Sequence, residues 1–481
     1  MKLLKLLSLG LAAATALTSI ASADVTLYVA GSSAFRGNAI TAEQNFLNGG
    51  YAGVYLQDTY TTAAGNAAAV TLVGTTTTVA GLGTITIENY WTGSVSGVLD
   101  IAAGTQDPFV AASNITVAAG SNTYNSVGAG YTQDLENPVF AFSDVLKNTA
   151  ATVLGSADTV TGYTPDGMGG YIVPGPLTPP TINGVQYATP AALQAKIASL
   201  TYTSAGGTGS APKNANTVGA IGFQWCLGAN GNTALFSNMT EQTANSLINN
   251  GNVPQGFITG TNTAADQANY VYFTGRNEDS GTRVNYVLES QLKLTSTIKQ
   301  YQINAGGTAT LYPVTQLNTE PNVVWLTTGH TGYVLGGDVA AALDIPEAGF
   351  NSTSFTDGSA ASNNSGTASF ISCLSVGDAT SAATGNTGIP GGGKLLTYNG
   401  VAPSSTTIAY GAYSLWSFER AYYITAGVTN PIGATQKTVA DQIALGAFNA
   451  ASNAAGKTVK FTDMKVTRSG EGAQIDALST Y

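Results

Sequence analysis

The sequence predicts an α/β fold made of parallel-type strand and helix units, and three observations lead to this prediction. Short apolar stretches of strand length alternate with longer stretches whose apolar residues recur at helical spacing. Turns rich in Gly, Ser, Thr and Asn separate these stretches. The chain has 481 residues, of which 43% are hydrophobic, so it can bury a large core and should form more than one compact unit.

The N-terminus has the pattern of a secretory signal peptide. Lys2 and Lys5 make the start basic, the stretch 3–17 is largely apolar, and Ala21-Ser22-Ala23 supplies small residues for cleavage. We therefore expect a signal peptide over 1–23 and export to the periplasm or the cell exterior. No later stretch reaches the ~18 continuous apolar residues of a membrane span, so the protein is not expected to span a membrane.

The charge balance argues against two classes of partner. Only 9% of the residues are charged and the formal net charge is −10, so nucleic acid and anionic membrane surfaces are not expected to bind. A bound anion would have to be held by local donors. The single histidine, His330, argues against a multi-histidine metal site, and no cofactor is expected.

The first half of the chain contains strands that end in small-residue turns. The strand Val25–Ala30 runs through a Gly-Ser-Ser turn into a helix, the segment 92–101 is a second such turn with apolar residues after it, and the strand in 138–148 ends at Ser143-Asp144. A helix start after such a turn can hold an anion, although an ordinary strand-to-helix connection has the same pattern. Residues 52–130 read as short strands and long loops, and 150–215 as surface insertions.

The alternation resumes after the insertions. The predicted elements are a strand over 220–230, a helix capped by Thr240, a buried strand over 268–275, a helix with apolar residues Val284, Val287, Leu288 and Leu292, a helix over 336–343 and a strand over 369–377.

The loop RNEDSGTR, residues 276–283, concentrates charge in a chain that has little of it. Arg276 can donate to two oxygens of a tetrahedral oxyanion, and Glu278 can hold its guanidinium in place. Ser280 and Thr282 offer hydroxyls at the start of a helix, where Gly281 lets a ligand approach the backbone. A capped helix with a surface ion pair is the alternative interpretation.

These residues also resemble a known family. RNEDSGTR is similar to the Arg-x-Asp-x-Ser-Gly-Thr anion loop of the phosphate-binding proteins of ABC importers, which have the type 2 periplasmic binding fold. Further similar segments follow in the order of that family, namely AGSSAF (30–35), FSDV (142–145), MTEQTANSLINNG (239–251), SFISCLSVGDA (369–379) and NGVAPSSTTIAYGAYSLW (399–416). The resemblance covers most of the chain outside the insertions.

The resemblance implies a ligand site for phosphate or a similar oxyanion. The residues that it brings to this site are Ser32, Ser33, the amide of Phe35, Ser94 or less favourably Ser96, Asp144, Arg276, Glu278, Ser280, Gly281 and Thr282. Asp144 would accept the proton of hydrogen phosphate, which sulfate lacks. Two departures concern the ligand rather than the fold: Ala34 replaces a threonine of the first loop, and Glu278 replaces the usual aspartate.

The resemblance also implies two lobes. The first lobe would comprise 24–225 and a return segment over 373–481, and the second lobe 226–372. Cys226 and Cys373 would lie on the two segments that cross between the lobes. They would form either a disulfide that fastens the hinge or two buried free thiols.

Other motifs favour no enzyme. Residues 388–394 approach a phosphate-binding P-loop, but Leu395 stands where Ser or Thr should bind magnesium, so we interpret them as a plain glycine loop. His330 is not expected to act as a catalytic base, because the sequence has no Gly-x-Ser-x-Gly nucleophile motif that it could activate. The sequence thus favours an exported solute-binding protein that delivers an oxyanion to an ABC permease. An exported structural or cell-surface protein that keeps this fold and a hydrolase of phosphate esters remain alternatives.

Overall fold

The computed structural model describes most of the chain from residue 23 onward. The described residues are 23–57, 63–150 without 92, 105 and 129, 216–229, 236–277, 280–303 without 295, 297 and 299, 332–344 without 334, 368–385, 391–478 without 427 and 429, and short paired strands between 164 and 204 and at 311–313. Residues 1–22 of the predicted signal peptide, Glu278, His330 and most of the insertion at 150–215 lie outside these residues, while Ala23, the last residue of the predicted signal peptide, is described.

The fold is mixed α/β. Its strands are β1 (Ala23–Gly31), β2 (Tyr51–Leu56), β3 (Ala69–Gly74), β4 (Leu82–Tyr90), β5 (Asp107–Val110), β6 (Thr123–Val127), β7 (Gln133–Glu136), β8 (Phe140–Ser143), β9 (Thr164–Pro165), β10 (Tyr171–Ile172), β11 (Thr181–Ile182), β12 (Val185–Gln186), β13 (Thr203–Ser204), β14 (Thr217–Leu227), β15 (Asn238–Met239), β16 (Asn252–Pro254), β17 (Tyr270–Phe273), β18 (Tyr301–Ile303), β19 (Leu311–Pro313), β20 (Ala368–Ser375), β21 (Lys394–Leu395), β22 (Thr397–Tyr398), β23 (Trp416–Tyr423), β24 (Thr458–Val459), β25 (Val466–Thr467) and β26 (Asp476–Ala477). Its α-helices are α1 (Arg36–Phe46), α2 (Ser94–Ala103), α3 (Glu241–Asn250), α4 (Gln255–Thr259), α5 (Ala264–Ala268), α6 (Gly281–Glu289), α7 (Gly336–Leu343), α8 (Val376–Thr384), α9 (Ser405–Ala409) and α10 (Ala434–Asn449).

One large sheet organises the chain, in the order β16-β17-β20-β14-β23-β8-β1-β4-β3-β2-β6. We call the part from β23 to β6 the first lobe and the part from β16 to β20, with α3, α6 and α7, the second lobe. In the first lobe β1 runs parallel to β4 and β8, and in the second β17 runs parallel to β20. The expected two-lobed α/β fold is therefore present, with antiparallel strands added to its parallel core.

Strand β14 belongs to both lobes. Its first half, up to Gly222, pairs with β23, and its second half, from Phe223, pairs with β20. All of its residues are buried, as the apolar run TVGAIGFQWCL requires of a central strand. The domain boundaries near residues 226 and 373 stay predictions.

Local signals explain the predicted helices. The Thr240 hydroxyl accepts a hydrogen bond from the Thr243 amide and caps α3, as expected. Helix α7 spans the residues that the sequence predicted, and α6 begins directly after Ser280. Within the described residues no helix is long and apolar enough to cross a membrane.

The two cysteines are buried and unbonded. In the pairing of β14 with β20, Cys373 lies opposite Trp225, while Cys226 lies opposite Ser372. Because successive side chains on a strand point to opposite faces, this register places the two thiols on opposite faces of the sheet. Cys226 accordingly packs with Tyr272 in one apolar cluster and Cys373 packs in another. A disulfide between them is excluded in this register, and the free-thiol alternative is the one found.

We predict that the purified protein contains two free thiols. After unfolding in denaturant without reductant, an alkylating reagent should label both cysteines, and mass spectrometry should give the same label count with and without prior reduction. In the native state labelling should be slow, because burial raises the pKa of both thiols and disfavours the reactive thiolate. Labelling that requires reductant would contradict the register.

Candidate functional site

The candidate site lies where several strands end. The parallel strands β8, β1 and β4 have their carboxyl ends at one edge of the first lobe, and the residues after them are Asp144, the loop 32–35 and the start of α2. Strand β17 of the second lobe leads to Arg276. Ligands of open α/β sheets bind outside the carboxyl ends of the strands, so this edge is the expected place for a site.

Gly31 sets the course of the first loop. Its φ is +116°, and a Cβ there would lie 2.0 Å from the Phe142 carbonyl oxygen, so only glycine fits. Gly97 of α2 packs directly on it, since a Cβ on Gly97 would lie 2.5 Å from the Gly31 Cα. The Ser32 amide donates to the Phe142 carbonyl at 2.8 Å. The loop is thus held between β8 and α2.

Arg276 connects the lobes. Its side chain is buried, its Nη1 donates to the Ser33 Oγ of the first lobe at 3.2 Å, and its Nε donates to the Tyr333 carbonyl at 3.1 Å. Its own carbonyl oxygen accepts from Arg283 Nη1 and from Gln300 Nε2, each at 3.3 Å. The second arginine of the loop therefore fixes the backbone of the first.

The start of α6 offers donors to the same place. Ser280 occupies the N-cap position, yet its side chain makes no capping hydrogen bond. Within the described residues, neither its hydroxyl nor that of Thr282 has a hydrogen-bond partner, although both residues are almost completely buried. The first amides of a helix have no intrahelical acceptor and carry a partial positive charge. The helix start can therefore bind an anion.

Asp144 faces this helix start across the lobe boundary. A Cβ on Gly281 would lie 1.4 Å from the Asp144 Oδ1, so only glycine lets the helix and the carboxyl group meet. The backbone of Asp144 is fixed, because its amide donates to the Ser94 Oγ at 3.2 Å and its carbonyl accepts from the Ser417 Oγ at 2.7 Å. Neither carboxyl oxygen has a hydrogen-bond partner in the described part of the chain.

Burial raises the pKa of Asp144 to about 7. The neighbouring Ser94 hydroxyl and the charges of Arg276 and Arg420 lower it, while Glu471 raises it further. The effect of burial on this pKa outweighs the opposite effect of the hydroxyl and the two arginines. The carboxyl group thus titrates near neutral pH, where it can exchange a proton with a ligand.

Sequence reasoning missed two charged residues of the site. Arg36, the first residue of α1, is buried; its Nε donates to the Gly65 carbonyl at 3.1 Å and its Nη2 lies 3.8 Å from the Asp378 Oδ1 of α8. Glu419 of β23 is fully buried and its Oε2 accepts from the Ser32 Oγ at 3.2 Å. An arginine three residues after the Gly-Ser-Ser turn and an acid inside a largely apolar strand were the available signals.

The predicted residues have different outcomes. Those that the structure brings to the boundary between the lobes are Ser32, Ser33, Ser94, Asp144, Arg276, Ser280, Gly281 and Thr282. The amide of Phe35 differs from the prediction, because it donates to the Ser32 carbonyl at 3.1 Å within the turn and is not free for a ligand. The hydroxyl of Ser96 donates to the Gly93 carbonyl at 3.3 Å. Glu278 lies outside the described residues.

The fold is similar to those of solved phosphate-transport proteins. A protein from Clostridium perfringens described as a phosphate ABC transporter substrate-binding protein, solved with bound phosphate, matches with a TM-score of 0.36 and 9% identity over 87% of this chain and 93% of its own. An ABC-type phosphate transport receptor from Vibrio cholerae matches with a TM-score of 0.32 and 9% identity over 86% of this chain and 93% of its own. PstS from Borrelia burgdorferi matches with a TM-score of 0.29 and 10% identity over 83% of this chain and 86% of its own.

No protein-family model and no curated protein match the chain. At these TM-scores the likeness carries no functional argument, so the ligand has to be inferred from the side chains of the site.

We predict that, in the ligand-free protein, the stability of Asp144→Asn relative to the wild type increases as pH rises. A buried acid whose folded pKa is about 7 contributes stability below its unfolded pKa, and this contribution is lost as pH rises to the folded value. The free energy of unfolding of the variant minus that of the wild type should therefore grow by up to about 4 kcal/mol between about pH 4 and about pH 7 and then level off. Urea unfolding in phosphate-free buffer measures this difference. A difference that does not change with pH would contradict the assigned burial.

Proposed function

We propose that this protein is an exported solute-binding protein that captures inorganic phosphate between its two lobes for an ABC importer. One observation carries the proposal. A buried arginine, the start of a helix and a carboxyl group that has no hydrogen-bond partner among the described residues come from distant parts of the chain and meet at one lobe boundary.

The arrangement suits a small tetrahedral anion. The guanidinium of Arg276 can donate to two of its oxygens, and its bond to Ser33 already draws both lobes to the same point. The amides and hydroxyls at the start of α6 supply neutral donors, which can stabilise the anion without adding net charge. Such donors explain how a protein with a net charge of −10 can hold an anion.

Asp144 gives the site its selectivity in this proposal. Hydrogen phosphate carries a proton that a carboxylate can accept, whereas sulfate at neutral pH carries none. Beside a sulfate oxygen the carboxylate would find no hydrogen-bond donor, so like-charge repulsion and lost hydration would disfavour sulfate binding. The site should therefore bind phosphate in preference to sulfate, and no bond is made or broken in the process.

Transport follows from the same proposal. The signal peptide pattern would export the protein, and an ABC permease would receive the phosphate when the lobes part.

An exported structural protein that keeps the fold would show no stabilisation by phosphate, sulfate or molybdate in a thermal-shift screen. A hydrolase would release phosphate from phosphate esters when divalent metals are added.

We predict that Arg276→Ala weakens phosphate binding at least about 30-fold, because it removes a buried charged donor to the anion. Titration calorimetry on the wild type and the variant measures the loss. Lys437→Ala is the matched control, since it removes a positive charge from a solvent-accessible ion pair with Asp441 on α10. The control should bind phosphate as the wild type does. Equal affinity of the wild type and Arg276→Ala would refute the site.

Asp144→Asn should reduce the preference for phosphate over sulfate. The amide of asparagine can donate to a sulfate oxygen, so sulfate should bind the variant more tightly than it binds the wild type. Competition calorimetry with both anions gives the ratio of the two dissociation constants. An unchanged ratio would show that Asp144 does not select the ligand.

A further inference from the structure

Glu419 is a second buried acid at the lobe boundary. On β23 it lies two residues after Ser417, so the two side chains point to the same face of the strand. Ser417 donates to the carbonyl of Asp144, and Glu419 accepts from the hydroxyl of Ser32, at 3.2 Å, in the loop that leads to Ser33. Glu419 therefore faces the first loop of the site. Its Oε1 has no hydrogen-bond partner in the described part of the chain.

Glu419 has no ion-pair partner there either. The next residue, Arg420, points to the opposite face and donates to the carbonyl of Phe418 and to Glu471 at 3.1 Å. A fully buried carboxylate that lacks a cation is costly, unless it carries a proton or serves a bound ligand. Core packing alone therefore gives no reason for an acid at this position.

We propose that Glu419 is a positioning residue that acts through the Ser32 hydroxyl and sets how many protons are held in the site together with the bound oxyanion. This inference rests on the proposed function. A serine hydroxyl has one proton to donate. When Glu419 is ionised it receives that proton, and the Ser32 oxygen can only accept from the ligand. When Glu419 is protonated it can donate to Ser32, and Ser32 can donate to a ligand oxygen.

The groups around Glu419 favour the protonated form. Burial and the charge of Asp144 raise its pKa well above the usual range, against the smaller effects of Ser32 and Arg420. Arg276 and Glu471 act on Asp144 and so belong to the same set of coupled charges. A dianion bound beside these acids would favour protonation further. At a pH where part of the free protein holds Glu419 ionised, phosphate binding should thus take up a fraction of a proton, and affinity should fall as pH rises through this range.

The test is calorimetry of the full chain with inorganic phosphate in two buffers of different ionisation enthalpy, from about pH 7 to about pH 9. Glu419→Gln keeps an acceptor for Ser32 but cannot titrate. We expect it to bind phosphate with up to about one proton less taken up than the wild type, and with an affinity that changes less with pH.

Glu43→Gln is the matched control. Glu43 is also fully buried, accepts from Asn89 Nδ2 at 3.0 Å, and has its pKa raised by burial to about 8. It lies about two turns along α1 from the loop, so its substitution should leave the proton count at the wild-type value. If Glu43→Gln lowered the number of protons taken up as much as Glu419→Gln does, the proposal would be overturned, because the change would then be a general effect of buried acids.

Ser32→Ala tests whether Glu419 acts through the Ser32 hydroxyl, and it leaves β23 unchanged. It should lower the proton count by the part that this hydroxyl relays, and adding Glu419→Gln to it should remove only the remaining part, which the charge of the bound anion causes directly. Equal proton counts for the wild type and Glu419→Gln, with phosphate binding intact, would overturn the role of Glu419 alone. Absence of phosphate binding by the wild type would overturn the proposed function and this inference together. Thermal unfolding confirms that each variant is folded before titration.

Discussion

The buried guanidinium of Arg276 is the constraint on which the rest of the site depends. A cation can lie away from water only if its donors find acceptors, and here these come from Tyr333 in one lobe and Ser33 in the other. The loop that carries it is fixed in turn by Arg283 and Gln300. The lobes thus meet at the point where the donors of one buried charged group find their acceptors.

Much of the fold could be predicted because its signals are local. The helix capped by Thr240 and the helix over 336–343 are each specified by neighbouring residues, and the structure contains both. Within the site, the stretch from Arg276 to Thr282 is likewise contiguous, so its residue types and spacing indicate an anion loop. Resemblance to a family then linked it to Asp144 and Ser33.

The rest depended on contacts between residues far apart in the chain. Glu419 joins the site through Ser32, a residue from the opposite end of the sequence, and no local pattern marks that contact. Arg36 meets Asp378 in the same way. For the cysteines the strand prediction was right, but a register of one residue decided which face each thiol occupies. The sequence predicted the Gly-Ser-Ser turn, but it did not show that the Phe35 amide donates to the Ser32 carbonyl within that turn.

The shared strand β14 constrains any movement of one lobe relative to the other. It changes partners between Gly222 and Phe223, so a rotation of one lobe against the other has to pass through the backbone at that point. Such a rotation alters the local twist while the ladders on either side persist. If one lobe rotated against the other, the bend would fall within the largest sheet of the molecule, and the contacts that part would be those at the lobe boundary, such as the one from Arg276 to Ser33.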